Sequence, residues 1–327
     1  MKKLKKIGLV VALIALCAMQ VFAGGSSESS ESSESAKTTY TVGICQLVQH
    51  EALDAATQGF KDALKAAFGD SVKILEQNAS GDSATCITIV NGFVSSNVDL
   101  IMANATASLQ AAQAATGDIP ILGTSITDYG TALGVSDFTG VTGTNISATS
   151  DLAPLDQQAE MILELFSETK KVGLLYCSAE ANSSYQVNTI RGILEAKGIE
   201  CKDFAFADSN DVASVAENAC SWSDVIYIPT DNTAASCTQT IRNVVEPNKT
   251  PVIAGEEGIC KGCGVATLSI SYYDLGVKTG EMAVEILKGE ADVSTMPIQY
   301  SPGFTKEYNA ELCAALGVTV PSDYKAI

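Results

Sequence analysis

The chain has 327 residues, 46% of them hydrophobic and 18% charged, with 38 Asp and Glu against 20 Lys and Arg for a formal net charge of -18. That length and aliphatic content suit about two globular domains of roughly 150 residues each and exclude a disordered chain. So acidic a balance opposes binding to phosphate backbones and anionic lipid heads, and nucleic acid is excluded as a partner.

The amino terminus, MKKLKKIGLVVALIALCAMQVFAGG, places four Lys before an apolar run from Ile7 to Met19 and small residues around Ala23. This is the three-part pattern of a secretory signal, so residues 1–23 read as a signal peptide cut after Ala23. Two readings of Cys17 are open. In Ile14-Ala15-Leu16-Cys17 it ends a lipobox-like stretch and would be lipidated; otherwise it is an ordinary Cys of an apolar segment. Residues 24–37, GGSSESSESSESAK, form a self-repelling Gly/Ser/Glu linker. The expected location is exported, either periplasmic or at the cell surface, with a lipid anchor under the first reading. Cleavage removes four Lys and no acid, which deepens the net charge to -22, and it leaves nine of the ten Cys. An odd count in a chain with ample core argues against a disulfide framework, and most thiols are expected to be free and structural.

From Val42 onward the chain repeats itself at an offset of about 125 to 133 residues. VGICQLV (42–48) answers VGLLYCS (172–178), and GFKDALKAAFG from Gly59 answers RGILEAKGIE from Arg191. VDLIMANATA (98–107) answers SDVIYIPTDNTAA (223–235), and IPILGTSITD from Ile119 answers TPVIAGEE from Thr250. Leu53, Ala56, Phe60, Leu64 and Ala67 recur at helical spacing, while DLIMA, VIYIP, PILG and PVIAG are short apolar runs, as parallel strands covered on both faces should be. Strand and helix alternate twice over, so the fold class is α/β with two doubly wound parallel-sheet lobes.

Ligands of open parallel sheets bind beyond the carboxyl ends of the strands. In the first half those ends are QLVQHEALD (46–54), Asn104-Ala105-Thr106 and Thr127-Asp128; in the second they are SAEANSS (178–184), Thr230-Asp231-Asn232 and Glu256-Glu257. From them come the candidate ligand-binding residues Gln46, His50, Leu53, Asp54, Asn104, Ala105, Thr106, Thr127, Asp128, Asn182, Ser183, Asp231, Asn232 and Glu256.

These segments together resemble the ABC-transporter substrate-binding proteins of the tryptophan/tyrosine-binding type, which have the type I periplasmic-binding fold. The resemblance runs from Val42 to Val320 and is carried by VGICQLVQHEALDAATQGFKDAL, ILEQNASGD, VDLIMANATASLQAA, GTSITD, GLLYCSAEANSSYQV, IYIPTDNTAAS, PVIAGEE, SYYDLGVKTGEMAVEILKGE and ALGVTVP. It departs at Asp128-Tyr129, where the family often has Asp-Pro, and in the Cys-rich GICKGCG from Gly258. The resemblance implies a hinged two-lobe protein that captures a small molecule, often an aromatic amino acid, outside the cytoplasm. Its implied partners are that ligand and an ABC permease with a cytoplasmic ATPase; the protein is expected to be a monomer, to take no cofactor and not to be an enzyme. By analogy the chain crosses between lobes near 139–146, after GVATLSI and near 296–300. The first lobe is then 38–140 plus about 270–296, and the second 141–269 plus about 297–327.

An amino acid needs an anion for its ammonium and donors for its carboxylate. Arg191 and Arg242 are the only Arg and fall within predicted helices, which argues against an arginine clamp. The carboxylate is therefore assigned to Thr106, Asn182, Ser183 and helix-start N–H groups, and the ammonium to Asp231 or Glu256; Asp231 and Asn182 also suit a helix N-cap. His50, the sole His, reads as a pocket or helix-start residue rather than a general base, and its solitude excludes imidazole metal sites. Cys260 and Cys263 have redox spacing and read as a disulfide before a catalytic pair. Tyr129, Tyr185, Tyr272 and Tyr273 are candidates to stack on a planar ligand group or to serve the core and hinge. Two other roles stay open: a module presenting ligand to a receptor, and an exported thiol-disulfide protein using Cys260 and Cys263. A two-lobe repressor is excluded, because a signal peptide stands where its DNA-binding headpiece would be.

Overall fold

The computed structural model describes residues 39–327; the expected signal peptide, Cys17 and the linker lie outside the described residues. In chain order the first half is β1 (Tyr40–Gln46), α1 (Glu51–Phe68), β2 (Val72–Asn78), α2 (Ser83–Ser95), β3 (Leu100–Asn104), α3 (Thr106–Ala115), β4 (Ile121–Ile126), α4 (Tyr129–Leu133) and β5 (Ile146–Ser150). The second is α5 (Leu155–Leu165), β6 (Lys171–Cys177), α6 (Ala181–Ala196), β7 (Glu200–Phe206), α7 (Val212–Trp222), β8 (Val225–Ile228), α8 (Asn232–Ser236), α9 (Thr238–Val245), β9 (Val252–Ala254), α10 (Glu257–Cys263) and β10 (Ala266–Ser269). The chain ends with α11 (Tyr272–Leu287), β11 (Gln299–Tyr300), β12 (Thr305–Tyr308), α12 (Ala310–Leu316) and β13 (Lys325–Ala326).

Two sheets result, ordered β11-β5-β4-β3-β1-β2 and β13-β12-β10-β9-β8-β6-β7, parallel throughout except where β12 runs against β10. The five-strand cores β2-β1-β3-β4-β5 and β7-β6-β8-β9-β10 have the same order, so the repeat read in the sequence is a repeat of structure. Every residue of β3, β4, β8 and β9 is buried, as in strands covered on both faces. On α1 the buried Leu53, Ala56, Phe60 and Leu64 lie at helical spacing, and the helix ends at Gly69, whose φ of 54° suits a residue without a Cβ.

The return of the chain to the first sheet is fixed by α11 lying against α1. A Cβ on Gly276 would stand 2.0 Å from the Ala56 carbonyl oxygen, and one on Gly59 would stand 2.1 Å from that of Tyr273. Glycine is the only residue that permits so close an approach.

The expected lobe boundaries need correction at two places. Residues 146–150, assigned to the second lobe, form β5 and pair with β4 in the first sheet; β11, also assigned to the second, pairs with β5. The segment ISATS looks like a loop because it is polar, yet all five residues are buried. Their hydroxyls are matched internally: Thr149 with Thr124 at 3.1 Å and Thr279 at 2.8 Å, Ser147 to the Met296 carbonyl and Ser150 to that of Thr127. The first crossing thus follows β5 and brings Asp151 to a strand end of the first sheet.

Candidate functional site

The carboxyl ends of both sheets face a narrow, nearly closed space. From the first sheet and its helices come His50, Leu53, Ser125, Thr127, Asp151 and Tyr272; from the second come Asn182, Thr230, Asp231, Asn232, Ala235 and Glu256. The two sides touch. His50 Nε2 lies 3.2 Å from Asn232 Oδ1, Gln186 Nε2 donates to Thr127 Oγ1 at 3.3 Å, and Lys261 pairs with Glu51 outside the cavity.

Three residues lining this space each carry a buried atom without a hydrogen-bond partner: His50 Nδ1, Ser125 Oγ and Asp151 Oδ1. Ser125 sits at the end of β4 with φ of 55°, a left-handed conformation that a serine adopts only when its surroundings impose it. The other oxygen of Asp151 accepts from the Tyr272 hydroxyl at 2.9 Å. Burial pushes the Asp151 carboxyl up to about 6, against the pull of the Tyr272 and Thr127 hydroxyls.

The carboxylates assigned from sequence to an ammonium, Asp231 and Glu256, each also hold a helix start. Asp231 caps α8, with Oδ1 accepting from Ala234 N at 2.8 Å and Oδ2 from Cys177 N at 2.6 Å. Glu256 caps α10 by accepting from Gly258 N at 2.6 Å and Ile259 N at 2.5 Å. Burial first, then the neighbouring Glu180 charge, pushes Asp231 up to about 8, and burial pushes Glu256 up to about 7.

Of the fourteen candidates, seven line the cavity: His50, Leu53, Thr127, Asn182, Asp231, Asn232 and Glu256. The other seven lie around it. Gln46 is buried and ties the loop after β1 by donating to Val48 O and Asp54 Oδ1 and accepting from Thr57. Asn104 donates to Leu53 O at 2.9 Å, Ala105 takes φ of 88° at the start of α3, and Asp128 caps α4 through Thr131 N. Asp54 is exposed, Ser183 is buried against Asn182, and Thr106 lines a neighbouring cleft with Val48 and Glu180.

Sequence reasoning missed Ser125, Asp151 and Ala235, placed Thr230 at a strand end without making it a candidate, and weighed Tyr272 only as an aromatic. Placing the first crossing before residue 146 hid β5, and with it the rule that would have picked out Asp151 as a strand-end acid. The α6 side chain of Gln186 was missed too; it joins Thr127 to both backbone groups of Thr230.

The nine cysteines of the described residues are all free, so the expected Cys260–Cys263 disulfide is not formed. Both thiols are buried on α10 and raised by desolvation, and Cys263 donates to Ile259 O within its own helix. Buried thiols held protonated are poor nucleophiles, which removes the basis for a thiol-disulfide site there.

Two like α/β lobes closing on a polar cavity define the periplasmic-binding-protein class of ligand-capturing folds. Within that class the chain belongs to the ABC transporter substrate binding protein family, whose model matches residues 41–325. A tyrosine-binding protein from Clostridioides difficile (strain R20291) is 38% identical over 260 residues, 79% of this chain and 75% of that protein. An ABC domain in complex with L-Trp from Streptococcus pneumoniae superposes with a TM-score of 0.84 at 31% identity, covering 89% of this chain and all of that one. The ligand-free, open structure of a substrate binding protein with adhesive properties from Clostridium difficile gives a TM-score of 0.67 at 37% identity, covering 88% and 99%. The family's role is substrate binding rather than catalysis, and ABC importers hold such proteins outside the cytoplasm. Among the described residues no helix is long and apolar enough to cross a membrane.

Proposed function

We propose that this protein captures an aromatic L-amino acid in the cavity between its lobes and delivers it to an ABC permease driven by a cytoplasmic ATPase. The observation that carries the reading is the trio of unpartnered buried atoms, Asp151 Oδ1, Ser125 Oγ and His50 Nδ1, gathered in one cavity. Buried polar atoms are costly to leave unpaired, so three in one place mark where a polar guest completes the structure. Asp151 takes the ammonium as a charge-assisted hydrogen bond, and the Ser125 hydroxyl donates to the carboxylate. The tyrosine-binding relative and the L-Trp complex support an aromatic side chain.

The lobes are 39–150 with 272–300, and 155–269 with 305–327, and they close by hinging at the three crossings. The higher TM-score to the L-Trp complex than to the open structure, despite lower identity, supports a closed, ligand-holding arrangement here. The protein works as an exported monomer, held at a membrane surface through Cys17 and the linker. Calorimetric titration of L-Trp, L-Tyr and L-Phe into ligand-stripped protein tests the reading. Saturable binding of at least one supports it, and silence for all three contradicts it.

A further inference from the structure

Asn232 fixes the tautomer of the one histidine. Its Nδ2 donates to Glu180 Oε2 at 2.7 Å, and a carboxylate oxygen can only accept. Glu180 is held in turn, its Oε2 accepting from Asn232 N at 3.0 Å and its Oε1 from Thr233 N and Oγ1, both at 2.8 Å. Turning the Asn232 amide over would set its oxygen against that carboxylate. The amide oxygen therefore faces His50 Nε2 at 3.2 Å, and since it too only accepts, Nε2 carries the hydrogen. Burial lowers the basicity of the ring against the opposing charges of Glu180, Asp54 and Glu51, so the imidazole is neutral. That leaves Nδ1, on a residue that lines the cavity, as a bare acceptor that is buried and unpartnered.

The strand order gives this acceptor a place along the ligand. His50 follows β1, whereas Ser125 belongs to β4 and Asp151 follows β5, and β3 and β4 lie between β1 and β5. From β1 it is two strand spacings, about 10 Å, to the strand of Ser125 and three, about 14 Å, to the strand that Asp151 follows, enough to set a head-group end there apart from a far end on the His50 side. An aromatic amino acid with a hydrogen bond at each end is of that order of length.

We infer that His50 Nδ1 reads the far end of the ligand and selects aromatic amino acids that carry a donor there, a phenol O–H or an indole N–H, over those with a bare hydrocarbon ring. This rests on the capture role proposed above. A ring without a donor would bury Nδ1 for good with nothing to pair it, and polar sites reject such analogues strongly.

The test is calorimetric titration of L-Tyr, L-Trp and L-Phe into ligand-stripped protein and its His50→Phe variant. In the unmodified protein L-Tyr or L-Trp should bind about 10- to 100-fold tighter than L-Phe. The variant also loses the contact to Asn232, which weakens closure on every ligand alike; the selectivity ratio should nonetheless collapse to about threefold or less. Because His50 is the only histidine, ring 15N NMR of the unmodified protein reads it without assignment. The signal should show the proton on Nε2, and Nδ1 should move when L-Tyr binds and not when L-Phe binds. Equal affinities for L-Tyr and L-Phe, a ratio unchanged in the variant, or a proton on Nδ1 would overturn the inference and leave amino-acid capture standing. No binding by any of the three would overturn both.

Discussion

At the strand ends of the second lobe, the buried acids Asp231 and Glu256 give both oxygens to backbone N–H groups at helix starts. At those of the first lobe, Asp151 gives one oxygen to Tyr272 and keeps the other free, and Ser125 and His50 likewise keep an atom unpaired. The repeat has thus diverged in how its polar groups are occupied, more than in which residue types it uses. One lobe's acids hold helix starts with both oxygens; the other's acid keeps one oxygen unpaired. Chemistry at a cleft is decided by which lone pairs remain after the fold has taken its share.

That contrast can be broken most sharply by removing one acid from each side. Asp151→Ala should weaken amino-acid binding by about 100-fold or more, as loss of a buried charge partner does, while leaving the ligand-free melting temperature unchanged or raised. Asp231→Ala should do the reverse. It strands the N–H groups of Cys177 and Ala234 and should cost about 2 to 4 kcal/mol of stability in denaturant melts, with a smaller effect on affinity. Equal losses of binding in the two variants would erase the distinction between the lobes.

A pH series sharpens it further. Asp151, Asp231 and Glu256 are raised to about 6, 8 and 7, so the folded protein holds protons that the unfolded chain releases near the ordinary values of 3.8 and 4.5. The stability they lend is full below those ordinary values and is lost as pH rises from about 4 through the raised values of about 6 to 8, so the ligand-free melting temperature should fall across that whole window. Affinity should run the other way, since an ammonium pairs with ionised Asp151: it should rise up to tenfold per pH unit below about 6 and then level. A flat affinity from pH 5 to 8 would contradict the Asp151 assignment. The smallest effect is expected at α10, where Cys260→Ser or Cys263→Ser should change ligand affinity by less than about twofold, measured by the same titration.

Much of the fold was legible from periodicity because its strands obey a simple rule. LIMA of β3, VIYI and VIA are apolar throughout, so burial on both faces is written in their composition. ISATS breaks the rule: its Ser and Thr are buried by pairing with hydroxyls and carbonyls far along the chain, Thr279 and Met296 among them, which no local pattern reveals. Losing that strand also lost Asp151. His50, Leu53, Thr127, Asn182 and Asn232 were reachable because they stand at ends of recognisable strands or the helix starts beyond them. That Asp231 and Glu256 were caps was foreseeable in kind, since acids favour that position. That both oxygens of each acid meet a backbone N–H depends on the path of the backbone, as does the left-handed turn at Ser125.

The central claim is that the first lobe's unpaired acid, rather than the second lobe's capped ones, holds the ligand. A crystal structure of the protein with L-Trp or L-Tyr tests it most directly. The ammonium should lie about 2.7 to 3.2 Å from Asp151 Oδ1, with Asp231 and Glu256 still capping their helices. An ammonium seated on Asp231 or Glu256, with Asp151 Oδ1 left unpaired, would contradict the account.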